Sequence, residues 1–162
     1  MNFYQQLGFL VFGSRLRRLS ETFLNDVNKV YKSHKIAFDA SWFPVFYILS
    51  QKQEASIKEI SEEVNVSHSA VSQLISNLQQ KGLIKSTVSK KDARHKVITF
   101  TAKGEKLLQK IQPVWVALES AMEELAGSSA ESKKLLNALT NMEKRIQQKS
   151  LFERIEKSIE KQ

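Results

Sequence analysis

Apolar residues recur every three to four positions from about Gln5 to Lys32, at Leu7, Leu10, Val11, Leu16, Leu19, Phe23, Leu24, Val27 and Val30. That period predicts a long amphipathic helix. Gly8 and Gly13 interrupt it, each weakening a helix by about 1 kcal/mol relative to alanine, so a bend or close packing is expected there. Phe3, Phe9 and Phe12 extend the apolar face almost to the N-terminus, more surface than a small lobe buries alone. A contact between two subunits is the economical reading. After a connection over residues 33–39, a second helix is expected from about Ser41, with Pro44 in its first turn, where no intrahelical partner awaits the missing N–H. The run WFPVFYIL is apolar on all sides, which makes this helix central.

The pattern then shortens. Ser56 and Glu59 have the spacing of a capping box, followed by Ile57, Ile60 and Val64 on one helical face. Asn65-Val66-Ser67 reads as a turn whose valine tucks inward, and Ser67 can cap the next helix, which runs to Lys81 and stops at Gly82. Two helices joined by three residues have the spacing of a helix-turn-helix. On the second of them Ala70, Val71, Leu74, Ile75 and Leu78 are expected inward, and His68, Ser69, Ser72, Gln73 and Ser76 outward. Residues 83–88 and 96–101 form two β-rich runs joined by a basic loop, a hairpin. Thr101 can cap a long helix carrying Leu107, Leu108, Ile111, Val114, Trp115, Leu118, Met122 and Leu125, and Pro113 predicts a kink or break near Gln112. A turn over residues 126–129 follows, with Ser128 and Glu131 as another candidate capping box. Leu135, Leu136, Leu139, Met142 and Ile146, then Leu151, Phe152, Ile155 and Ile159, mark amphipathic helices with no globular body of their own to cover.

These elements predict a mainly α fold with a small β-hairpin wing: a winged helix-turn-helix flanked by N- and C-terminal dimerisation helices. The expected division is 1–40, a dimerisation helix and connection; 41–108, the DNA-binding lobe; and 109–162, the C-terminal dimerisation helices.

Composition narrows the partners. The 162 residues carry a formal net charge of +8, which favours an acidic partner, either nucleic acid or an anionic surface. Zero cysteines exclude a disulfide framework, a thiolate metal site and a thiol switch. The longest uncharged apolar run, residues 42–49, is far short of the roughly 20 residues a membrane span requires. The N-terminus is apolar before it is charged, the reverse of a secretory signal, so a cytoplasmic protein with no membrane partner is expected. His34, His68 and His95 are scattered, and no carboxylate pair or glycine-rich phosphate loop is present. No enzyme activity, metal or cofactor is expected.

The outward face of the second helix suits a major groove: small hydroxyls permit close approach, and a glutamine can contact adenine N6 and N7 together. The wing loop places Lys90, Lys91, Arg94 and Lys96 against Asp92 alone, a charge suited to a narrow minor groove, with Asp92 near enough to aim Arg94. The candidate DNA-binding residues are therefore Ser67, His68, Ser69, Ser72, Gln73 and Ser76 on the helix, with Lys90, Lys91, Asp92, Arg94, His95 and Lys96 on the wing. Phe12, Trp42, Phe46, Tyr47 and Trp115 are candidates for an effector pocket, on aromatic density alone. A protein-interaction module with a basic face is the rival reading.

The stretches KEISEEVNVSHSAVSQLISNLQQKGLIK and KKDARHKVITFTAKG resemble the MarR family of bacterial transcription regulators. The likeness spans about residues 56–108 and is strongest at Asp92 and Arg94 of the wing and at Phe100, Thr101 and Gly104 after it. The resemblance implies a triangular homodimer, joined through its N- and C-terminal helices, with each wing reaching a minor groove of duplex DNA. It also implies that Ser72 and Gln73 contact bases and that Arg94 is the wing contact, although many members carry an arginine where this chain has Gln73. GSRLRRLSETF, SWFPVFYIL and HSAVSQ further resemble the regulator half of proteins fused to an acetyltransferase. With the chain ending at Gln162, a stand-alone regulator is expected.

Overall fold

The computed structural model describes residues 3–88 and 96–161. Its elements, in chain order, are α1 (Phe3–Gln6), a 3-10 turn (Gly8–Val11), α2 (Phe12–Ser33), a second 3-10 turn (Ala40–Trp42), α3 (Phe43–Lys52), β1 (Glu54–Ala55), α4 (Ile57–Val64), α5 (His68–Gln80), β2 (Ile84–Val88), β3 (Lys96–Phe100), α6 (Ala102–Gly127), α7 (Ala130–Lys133), α8 (Leu135–Gln148) and α9 (Leu151–Ile159). The fold is mainly α with a small antiparallel sheet, as the periodicity predicts. The expected N-terminal helix is interrupted at Gly8, whose φ of +54° belongs to the left-handed region. Glycine enters that region without a steric cost.

The chain divides into two compact units, Met1–Val116 and Ala117–Gln162. In the first, Tyr31, Phe46, Leu49, Ile60, Ile75, Leu78, Ile84 and Ile111 are fully buried in one core. Burial pushes the Tyr31 phenol above its ordinary pKa, partly offset by the Trp115 indole N–H that donates to its oxygen at 3.1 Å. The strand order is β1-β3-β2, with Ala55 opposite Ile98 and Ile84 opposite Phe100. β1, only two residues long, falls between two helical patterns and has no periodicity by which a sequence could announce it.

Several local expectations are corrected. Val66 is 47% exposed instead of tucked inward; Asn65 ends α4 in the left-handed conformation, and the Val66 N–H donates back to the Ser61 carbonyl, so backbone bonding forms the turn. Ala70 is exposed because the buried stripe of α5 is centred on Val71, Ile75 and Leu78. Pro113 does not break α6: Ile111 is buried on one side of it, and Val114 and Trp115 pack on the core on the other. The predicted Ser128–Glu131 capping box does not form. Ser129 is the cap, accepting from the Ser132 N–H at 3.0 Å, while the Ser128 hydroxyl donates to the Leu125 carbonyl.

In the second unit, none of α7, α8 or α9 contains a buried residue. A capping box of Ser150 and Glu153 starts α9. The Arg154 guanidinium donates to the carbonyls of Lys149 and Arg145, fixing the turn from α8.

Candidate nucleic-acid interface

The reader helix is held by what surrounds it. The Ser56 N–H donates to the Glu59 carboxylate at 2.7 Å while the Glu59 N–H donates to the Ser56 hydroxyl at 3.1 Å, closing the box that starts α4. The Lys52 ammonium pairs with the Glu63 carboxylate, tying α3 to α4, and this bond holds the lysine above its usual pKa. Ser67 caps α5, its hydroxyl accepting from the Ala70 N–H. At the far end Gly82, at φ +68°, reverses the chain. The Leu83 N–H then donates to the Leu78 carbonyl at 3.0 Å, joining the end of α5 to the sheet.

Gly104 and Thr101 complete that junction. The Thr101 hydroxyl donates to the Gly82 carbonyl at 2.6 Å and accepts from the Gly104 N–H at 3.1 Å. A Cβ on Gly104 would lie 2.0 Å from the Leu83 carbonyl oxygen. Only glycine lets the first turn of α6 come this close to the end of α5, which is the physical content of the Thr101–Gly104 spacing.

With Val71, Ile75 and Leu78 buried, His68, Ser69, Gln73 and Ser76 are exposed and Ser72 is half-buried. The Ser72 hydroxyl lies 3.4 Å from His68 Nδ1, and the Ser67 and Ser69 hydroxyls lie 3.2 Å apart. The Gln73 side chain is exposed on α5, with no side-chain hydrogen bond among the described residues. Lys96 is exposed at the start of β3, opposite Val88. Lys90, Lys91, Asp92, Arg94 and His95, with the expected Asp92–Arg94 pair, lie outside the described residues.

The five aromatic pocket candidates fall into four surroundings. Phe46 is core, packed on Phe38 and Phe100 with ring centroids 5.0 Å away. Tyr47 and Trp115 meet at 6.0 Å, bridged by Phe43. Phe12 packs on Phe9. Trp42 packs on the same Phe38 ring, at 5.5 Å, and lines a cavity of about 930 Å3 that the other four candidates do not line. Sequence reasoning missed that cavity, whose lysines come from three distant segments. Its one visible trace was Lys103, Lys106 and Lys110, spaced three and four residues apart and so on one helical face. Among the described residues no cluster of His, Asp or Glu is placed to hold a metal, and no helix is long and apolar enough to cross a membrane.

The MarR family model matches residues 38–95. An uncharacterized HTH-type transcriptional regulator of Bacillus cereus is 27% identical over 131 residues, covering 80% of this chain and 87% of the relative. Among solved structures, the S. aureus MepR–DNA complex aligns with a TM-score of 0.68 at 21% identity, over 83% of this chain and 97% of that one. The M. tuberculosis regulator MosR in complex with DNA aligns with a TM-score of 0.65 at 19% identity, over 83% and 94%. At these identities the structural matches establish a shared fold.

Proposed function

We propose, from the premise that this chain carries a MarR-family domain over residues 38–95, that it is a transcriptional regulator binding a pseudo-palindromic operator in duplex DNA as a homodimer. The observation that carries the reading is the division of α5 into a locked inner stripe and an exposed hydrogen-bonding face. Its likeness to two regulators solved with DNA supports the same partner. In this reading residues 41–108 form the reading lobe, and residues 1–40 and 109–162 supply the subunit contact. The exposed Phe9, Leu10, Phe23 and Leu24 on the N-terminal side and Leu136 and Phe152 on the C-terminal side are the surface such a contact would cover. As a regulator of bacterial type it works in the cytoplasm, and no catalytic role is assigned to it.

His68, Ser69, Ser72, Gln73 and Ser76 meet base edges in the major groove, with Ser67 at the helix start. Lys90, Lys91, Asp92, Arg94, His95 and Lys96 form the wing contact. Two such helices in a dimer would read half-sites one duplex turn apart. An effector that binds two spacings of those helices unequally would shift operator affinity, with Tyr47 and Trp115 as the aromatic pair available to it.

Selection of bound sequences from a random duplex library tests the reading, which expects an enriched inverted repeat; enrichment of none would overturn it. Arg94→Ala should weaken operator binding by about 1–3 kcal/mol and reduce the salt slope by about one. Gln73→Ala should relax preference at one base pair per half-site, read from the same selection repeated on the variant.

A further inference from the structure

Six lysines converge on the cavity beside Trp42: Lys32 and Lys35 from the end of α2 and the following turn, Lys81 from the end of α5, and Lys103, Lys106 and Lys110 from the first turns of α6. The cavity lies wholly within residues 28–110 and needs no second subunit to form it. Ile36, Phe38, Trp42, Leu83 and Leu107 give it an apolar lining. Its one acidic lining residue, Asp39, is engaged: the carboxylate accepts from the Ser41 N–H at 2.8 Å and from the Ser41 hydroxyl at 2.5 Å.

Two of the lysines are already oriented. The Lys103 ammonium donates to the Lys81 carbonyl at 2.7 Å, and the Lys81 ammonium stands 5.3 Å from the centre of the Trp42 ring. All six are exposed, and none of them pairs with a carboxylate among the described residues. Ala102 and Lys103 also bring the first turn of α6 to the rim, and the dipole of this 26-residue helix favours negative charge at that end. Six cations against the single Asp39 carboxylate leave a net positive potential around this concave apolar surface.

We propose that this cavity binds a small amphipathic polyanion: a flat aromatic or acyl body lying against Trp42 and Leu107, carrying two or more phosphate, sulfonate or carboxylate groups that the lysine ring neutralises. An inorganic polyanion satisfies the charge and leaves the apolar lining wet. A neutral aromatic satisfies the lining and leaves the charge uncompensated. The site shares Trp42 alone with the aromatic pocket candidates.

The test uses the full chain with Trp115→Phe, which leaves Trp42 as the sole indole of the two in the sequence. Titration with pyrene tetrasulfonate should quench Trp42 emission saturably with one site per chain, and tripolyphosphate should bind about tenfold more weakly or worse because it lacks the apolar body. Lys106→Glu with Lys110→Glu should weaken the pyrene probe by about tenfold or more, since two attractive contacts become repulsive. Both side chains are exposed, so an unchanged circular dichroism spectrum is expected of that variant. Pyrene emission, read on the protein with Trp42→Phe as well, checks that the site persists without the indole. No saturable quenching at Trp42, equal affinity for tripolyphosphate, or equal affinity of the charge-reversed variant would each overturn the proposal. None of these readouts involves DNA, so a failure here leaves the regulator reading standing, and the reverse holds too.

Discussion

Helices α5 and α8 are nearly equal in length, 13 and 14 residues, and both carry an apolar stripe at helical spacing. α5 buries Val71, Ile75 and Leu78, whereas α8 buries nothing, leaving Leu136 at 76% exposure. Their own caps differ, Ser67 capping α5 and no side chain capping α8, but a cap satisfies a helix end and does not bury an apolar stripe. What differs is the cover. Around α5, helices α3 and α4 and strand β2 close a core inside one unit, while the helices of residues 117–162 have no core of their own. A helical pattern therefore states that a face needs covering and is silent on what covers it.

The largest expected effect sets the two stripes against each other. Leu78→Ala should cost about 2–5 kcal/mol, because a fully buried leucine leaves a cavity in a packed core. Leu136→Ala should stay within about 0.5 kcal/mol in dilute protein, as an exposed substitution does. Urea unfolding of both variants measures the contrast, and equal losses would erase it. Gly104→Ala comes next, at about 1–3 kcal/mol or more, since its Cβ meets the rigid Leu83 carbonyl. Gly127→Ala, with open space around it, should instead be neutral or stabilise by up to about 1 kcal/mol through the unfolded chain.

A third experiment asks whether a second copy supplies the missing cover. Leu136→Ser with Phe152→Ser should leave the unfolding of residues 1–116 unchanged and weaken self-association by about 2 kcal/mol or more, the scale of withholding large apolar side chains from burial. Sedimentation velocity across a concentration series reads it. A double variant that associates as tightly as the parent would put the contact on another surface.

The same division shows what could be read from the sequence. The helix-turn-helix was legible because each of its signals is local: Ser56 with Glu59, Ser67 before α5, Gly82 after it, and the buried period of Val71, Ile75 and Leu78. Thr101 and Gly104 were legible as a pattern, but their reason, the approach to Leu83, exists only once residues about twenty positions apart meet. Val66 was misread because an apolar turn residue suggests burial, whereas backbone bonds to Ser61 hold that turn. The lysine cavity was illegible for a related reason, its six cations arriving from three segments. The aromatic set was read as one cluster on density, and the fold separates it because neighbours in sequence on α3 face opposite ways: Phe46 into the core, Tyr47 outward.

The smallest expected effect concerns the two capping boxes, the feature both regions share. Ser56→Ala should cost about 1 kcal/mol by removing an acceptor for the first turn of α4, and because that turn is bound into a core the loss should show as a shift in global unfolding. In the C-terminal unit the same substitution should be felt locally. The hydroxyl and the backbone N–H of Ser150 both donate to the Glu153 carboxylate at 2.8 Å and, with the nearby Lys149 and Arg154, hold its pKa below the usual carboxylate value. A lowered folded-state pKa means that this contribution is complete above the unfolded carboxylate value and is lost as pH falls through the folded one. Acid should therefore fray the start of α9 before it reaches the core of residues 1–116. Carbon-detected NMR titration of Glu153 tests this: Ser150→Ala should move its midpoint upward, part of the way towards an ordinary glutamate because the backbone N–H of residue 150, Lys149 and Arg154 remain. A midpoint that does not move would mean that the backbone N–H and the neighbouring charges, not the hydroxyl, hold the carboxylate ionised. The likeness between the two helix starts would then be one of sequence pattern alone.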